Sequence, residues 1–131
     1  ALSPEANQII ERSMRDIVQG TARAHGIDCK FEYITRTNMT INTKEQAAIA
    51  SKVAEDLFGE KRVDGNCDPK LFSEDFAQML MVKPGCYVLI GNGVDGPHGQ
   101  SLHSSTYDFN DKLLVIGSTF WSKLVEKRLS N

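Results

Sequence analysis

The chain has 131 residues, 40% hydrophobic and 24% charged, with 15 Lys and Arg against 17 Asp and Glu for a net charge of −2. That length suits one compact domain, and the near-balanced charge argues against a dedicated nucleic-acid binder. The composition argues against intrinsic disorder, and no apolar run approaches the roughly 18 residues of a membrane span.

Ser3-Pro4-Glu5 places a capping hydroxyl, a proline and an acid in the order that opens a helix. Ile10, Met14, Ile17 and Val18 recur at helical spacing and Gly26 follows as a stop, so the first helix is predicted over 4–25. Residues 28–36 alternate, with Cys29, Phe31, Tyr33 and Thr35 on one face and Lys30, Glu32 and Arg36 on the other, the pattern of a half-exposed strand. Residues 37–42 read as a connector.

Thr43-Lys44-Glu45-Gln46 has capping-box spacing and introduces a second helix with Ala50, Val53, Ala54, Leu57 and Phe58 on its apolar stripe, closed by Gly59. Ser73-Glu74-Asp75 opens a third helix that Pro84 and Gly85 end. Cys86-Tyr87-Val88-Leu89-Ile90 reads as a strand buried on both faces, where Val88→Asp would cost several kcal/mol. A patternless stretch runs from Gly91 to Asp108, and loops of that length in a compact domain are usually functional or disordered. A last helix starts near Asn110-Asp111 and turns Leu113, Leu114, Gly117, Phe120, Trp121, Leu124 and Val125 toward a core.

Three cysteines, Cys29, Cys67 and Cys86, form an odd set without CxxC spacing. They suit reduced thiols in a cytoplasmic protein better than a disulfide framework or a zinc site. No signal peptide is visible. The sequence starts on a helix without a Met, as a processed or truncated piece of a longer protein would.

No complete catalytic constellation is present. Gly91-Asn92-Gly93 follows an apolar run but is not GxGxxG, so a turn is the better reading than a phosphate loop. His25 sits where it complements a helix dipole, and His98 lies between Pro97 and Gly99 in the loop. His103 precedes the aromatic and acidic cluster Tyr107-Asp108-Phe109-Asn110-Asp111, where an imidazole could bind a metal. One histidine does not make a metal site.

Three blocks together resemble the carboxyl end of metal-dependent amidohydrolases of the aminoacylase type. These are Ser73–Ala77, Lys83–Gly93, and Leu102-His103-Ser104-Ser105-Thr106-Tyr107-Asp108-Phe109-Asn110-Asp111, in the family's order. The group includes hippurate, N-acyl-amino-acid and auxin-conjugate hydrolases, and the third block is its most specific mark here. The resemblance covers essentially this whole chain and the last third or so of a family member.

The resemblance implies an α/β fold. Residues 1–38 would end a small α+β lid that mediates homodimer contacts, and 39–131 would be the last part of a helix-covered mixed-sheet catalytic domain. It implies two divalent metals, zinc or manganese, activating water to attack the amide of a small N-acyl amino acid. No nucleic-acid or membrane partner is implied. The metal-ligand role falls on His103. Ser73, Glu74, Gly91, Asn92 and Gly93 would lie near the substrate, and Asp108 would support His103 through its second nitrogen. The general base and the other ligands would lie upstream, so these 131 residues alone are expected to be inactive and metal-free. A non-catalytic α+β binding or scaffold domain that kept the family core is the competing expectation.

Overall fold

A computed structural model describes residues 3–130. The chain divides into two compact units. One comprises the described residues up to Ile41 together with Leu71–Lys83, and the other Asn42–Lys70 together with those from Pro84 onward.

The first unit is built on α1, Pro4–Ala24. The Ser3 hydroxyl accepts from the Ala6 N–H at 3.0 Å, Pro4 takes the first helical position, and Gly26 turns the chain out at φ +62°. Residues 27–35 return along this helix. The Tyr33 hydroxyl donates to Asn7 Oδ1 at 2.7 Å, the Asn7 amide donates to Thr35 Oγ1 at 3.2 Å, and the Arg15 guanidinium lies 5.1 Å from the centre of the Phe31 ring. A short helix α2, Phe76–Leu80, buries Ala77. The Ser73 hydroxyl does not cap it but accepts from Thr37 Oγ1 at 3.3 Å, and the helix is correspondingly shorter than the acids at 74 and 75 suggest.

The second unit packs α3, Lys44–Phe58, against α4, Leu113–Leu129. Ala50, Val53 and Phe120 form its buried centre, with Ala54, Leu57, Phe58, Cys86 and Leu124 packed around them. Burial raises the Cys86 thiol pKa. Thr43 stands at the N-cap of α3, but its hydroxyl accepts from the Gly85 N–H at 3.1 Å instead of capping the helix. Trp121 is 58% exposed, Leu114 72% and Val125 53%, so α4 turns Phe120 and Leu124 inward and leaves much of its expected core stripe outside.

The expected α/β architecture does not form. Among the described residues there is no strand and no sheet, and every regular element is helical. Alternation in a sequence records which side chains face a packing surface, whereas a strand also needs a neighbour that bonds its backbone. Residues 28–36 find their surface on α1, through Phe31 and Tyr33, and gain no ladder. At 86–90 a side chain takes backbone bonds that a neighbouring strand would make. Asn42 Oδ1 accepts from the Tyr87 N–H at 2.7 Å, and Asn42 Nδ2 donates to the Tyr87 carbonyl at 2.9 Å. Val88, Leu89 and Ile90 are 40%, 52% and 45% exposed, so the large penalty expected for Val88→Asp loses its basis. No helix among the described residues is long and apolar enough to cross a membrane.

Candidate functional site

The stretch from Gly91 to Lys112 folds on itself in the second unit. Its inner turn is a 3-10 helix, Gly96–Gly99, entered through Pro97. Gly99 lies so close to the preceding backbone that a Cβ there would stand 2.8 Å from the Val94 carbonyl carbon, and a Cβ on Gly93 would stand 3.0 Å from His98 Cβ. Backbone cannot yield as a flexible side chain can, so Gly99→Ala is expected to cost about 1–3 kcal/mol. Thermal melts should show this, while alanine at Gly91, whose Cβ would meet nothing within 4 Å, should be nearly silent.

Asn92 is the centre of the loop's bonding. Its Nδ2 donates to the carbonyls of His98 at 3.0 Å and Asp108 at 2.8 Å, and its Oδ1 accepts from the Asn110 N–H at 2.9 Å. The Asn110 amide returns a bond to the Asn92 carbonyl at 3.1 Å, while Asn110 Oδ1 accepts from the Lys112 N–H at 3.2 Å just before α4. His98 Nδ1 lies 3.3 Å from the Asp108 carbonyl and 3.5 Å from its carboxylate. A hollow of about 310 Å³ lies over His98, Asp108, Asn110 and Lys112. Tyr107 and Phe109 also border it, their rings edge to face with centroids 4.9 Å apart.

His103 is outside that hollow and exposed. Its φ is +68°, the one non-glycine residue with positive φ among those described. Holding an L-residue there costs roughly 1–2 kcal/mol, a strain that surrounding structure must impose. Across it the Ser104 N–H donates to the Ser101 carbonyl, and just after it the Tyr107 N–H donates to the Ser104 carbonyl, both at 3.1 Å.

The sequence-derived candidates therefore distribute unevenly. Gly91, Asn92, Gly93, His103 and Asp108 share the second unit, whereas Ser73 and Glu74 belong to the first. Asp108 touches His98, and its carbonyl is held by Asn92. His98, read from the sequence only as a loop residue, and Asn110, read as the start of the last helix, both build the loop through bonds to or beside Asn92. The signal was an asparagine on each side of a patternless stretch, which no local motif joins.

A zinc centre takes three or more protein ligands. The described residues gather no cluster of three His, Cys, Asp or Glu side chains able to hold a metal ion. The donor set among the described residues does not by itself fit a metal centre, and His103 stands there as a single imidazole.

Set beside known proteins, the loop and its flanking helices fall within a family match that spans nearly the whole chain. The model for peptidase family M20/M25/M40 matches residues 4–127, and the chain belongs to this family. It is similar to a hippurate hydrolase of Campylobacter jejuni subsp. jejuni serotype O:2 (strain ATCC 700819 / NCTC 11168). The two are 36% identical over 129 residues, which are 98% of this chain and 33% of that protein. The chain thus spans about a third of the length of the curated relative it matches. No solved structure matches it.

Proposed function

We propose that this chain is the carboxyl-terminal part of an amidohydrolase that cleaves N-acyl amino acids, with hippurate-like compounds as substrates. The observation that carries the reading is the 36% identity to a hippurate hydrolase across 98% of the chain. In this reading residues 1–38 end a lid domain through which the full-length protein dimerises, and 39–131 contribute to the catalytic domain. His103 is presented as one ligand to a divalent metal, zinc or manganese. Ser73, Glu74 and the Gly91–Gly93 turn belong to the substrate side. In this reading the remaining ligands and the general base come from outside these residues.

Hydrolysis of hippurate adds water across the amide bond and yields benzoate and glycine. The full-length protein should release glycine from hippurate, and a chelator should stop it. The 131-residue chain alone should release none. A full-length, folded protein that cleaves neither hippurate nor any of a panel of N-acyl amino acids would overturn the reading. It would favour the non-catalytic scaffold.

A further inference from the structure

We propose that Asn92 is a positioning residue whose carboxamide fixes where His103 is presented; this rests on the reading of His103 as a member of the hydrolase site. The two protons of one NH2 group go to the two feet of the His103 segment. One reaches the His98 carbonyl at 3.0 Å and the other the Asp108 carbonyl at 2.8 Å. Residues 99–107 are therefore a closed loop whose ends are held by a side chain outside it. Closing such a loop costs chain entropy, and a shared donor offsets that cost only while both bonds are made.

The same carboxamide is itself held. Its oxygen accepts the Asn110 N–H at 2.9 Å, and the Asn110 side chain bonds back to the Asn92 carbonyl at 3.1 Å. This reciprocal pair ties the base of the loop to the turn that leads into α4, whose Phe120 is anchored in the core of the second unit. The positive φ of His103 belongs to the turn that the Ser104 N–H closes on the Ser101 carbonyl at 3.1 Å, inside the segment whose two feet Asn92 holds. Only a carboxamide meets these demands, because the group must donate twice and accept once on the same short stem.

Asn92→Asp tests this, since it keeps the size and removes both donors, setting a carboxylate against two carbonyls. In the full-length protein, amide hydrogen exchange across 99–110 should accelerate at least tenfold, including at Asn110. In protein carrying ¹⁵N-histidine, the His103 ring signals should shift or broaden while those of His25 stay. Turnover of hippurate should fall at least tenfold, mainly in kcat, with a cooperative melt retained. Asn110→Asp, which keeps the acceptor for Lys112 and loses the bond back to Asn92, should give a smaller change of the same kind. Unchanged exchange and an unchanged His103 signal in Asn92→Asp would overturn the proposal. So would a loosened loop with normal kcat, provided His103→Ala is inactive. If His103→Ala keeps full turnover, the functional reading of His103 fails, and the positioning proposal falls with it even where the exchange data show the clasp intact.

Discussion

Phe120→Ala should destabilise the second unit by about 3–5 kcal/mol, the range for removing a buried aromatic ring and leaving its cavity. Phe120 is 4% exposed and sits with Ala50 and Val53 at the contact of α3 and α4. So few side chains are buried there that neighbours offer little to refill the space. Urea titration followed by circular dichroism measures the loss. Trp121→Ala is the control. That ring is 58% exposed and meets Phe120 edge to face at 5.6 Å, so its removal should cost about 1 kcal/mol or less. Equal losses at the two positions would show that α4 is rotated from the orientation described.

His103→Ala should separate stability from activity. The imidazole is exposed and makes no part of the hydrophobic cluster, so the melt should move little. Hippurate turnover by the full-length protein should fall by about 100-fold or more, since even outer partners of a metal ligand contribute about 10–100-fold and a ligand contributes at least as much. Metal content measured by mass spectrometry should fall with it. Normal turnover with a full complement of metal would remove His103 from the site. His25→Ala, at the end of α1, should leave both readouts unchanged.

The helices were legible because their signals are local. Ser3, Pro4 and Gly26 bound α1 almost to the residue expected, and the stripe of Ala50, Val53 and Phe58 located α3. The sheet does not form because period-two alternation, as at 28–36, is shared by a strand and by a segment lying on a helix face, and a short continuous apolar run, as at 86–90, does not by itself supply a neighbouring backbone. Phe31 and Tyr33 turn to α1, and Asn42 occupies the backbone of Tyr87. Capping residues misled where a tertiary contact claimed them, as Gly85 does the Thr43 hydroxyl and Thr37 that of Ser73. At the candidate site, the long loop was legible from its length and its lack of pattern. The Asn92–Asn110 pair was not, because it joins residues 18 apart through bonds that no spacing rule encodes.

The Asn92–Gly93 dipeptide also gives this loop a chemical memory. Asparagine is among the thermolabile residues, and a following glycine leaves its side chain open to attack by the next backbone nitrogen. The Gly93 nitrogen bonds to the Asn92 side-chain carbonyl carbon, ammonia leaves, and water opens the resulting succinimide to aspartate or isoaspartate. In the folded loop both ends of that carboxamide are engaged, so the attack must wait for the loop to open. Aspartate at 92 has no amide hydrogens to return to His98 and Asp108. Each molecule that opens long enough to deamidate then opens more readily, and the fraction of aspartate at this position in an ageing sample becomes a clock of how often the loop breathes.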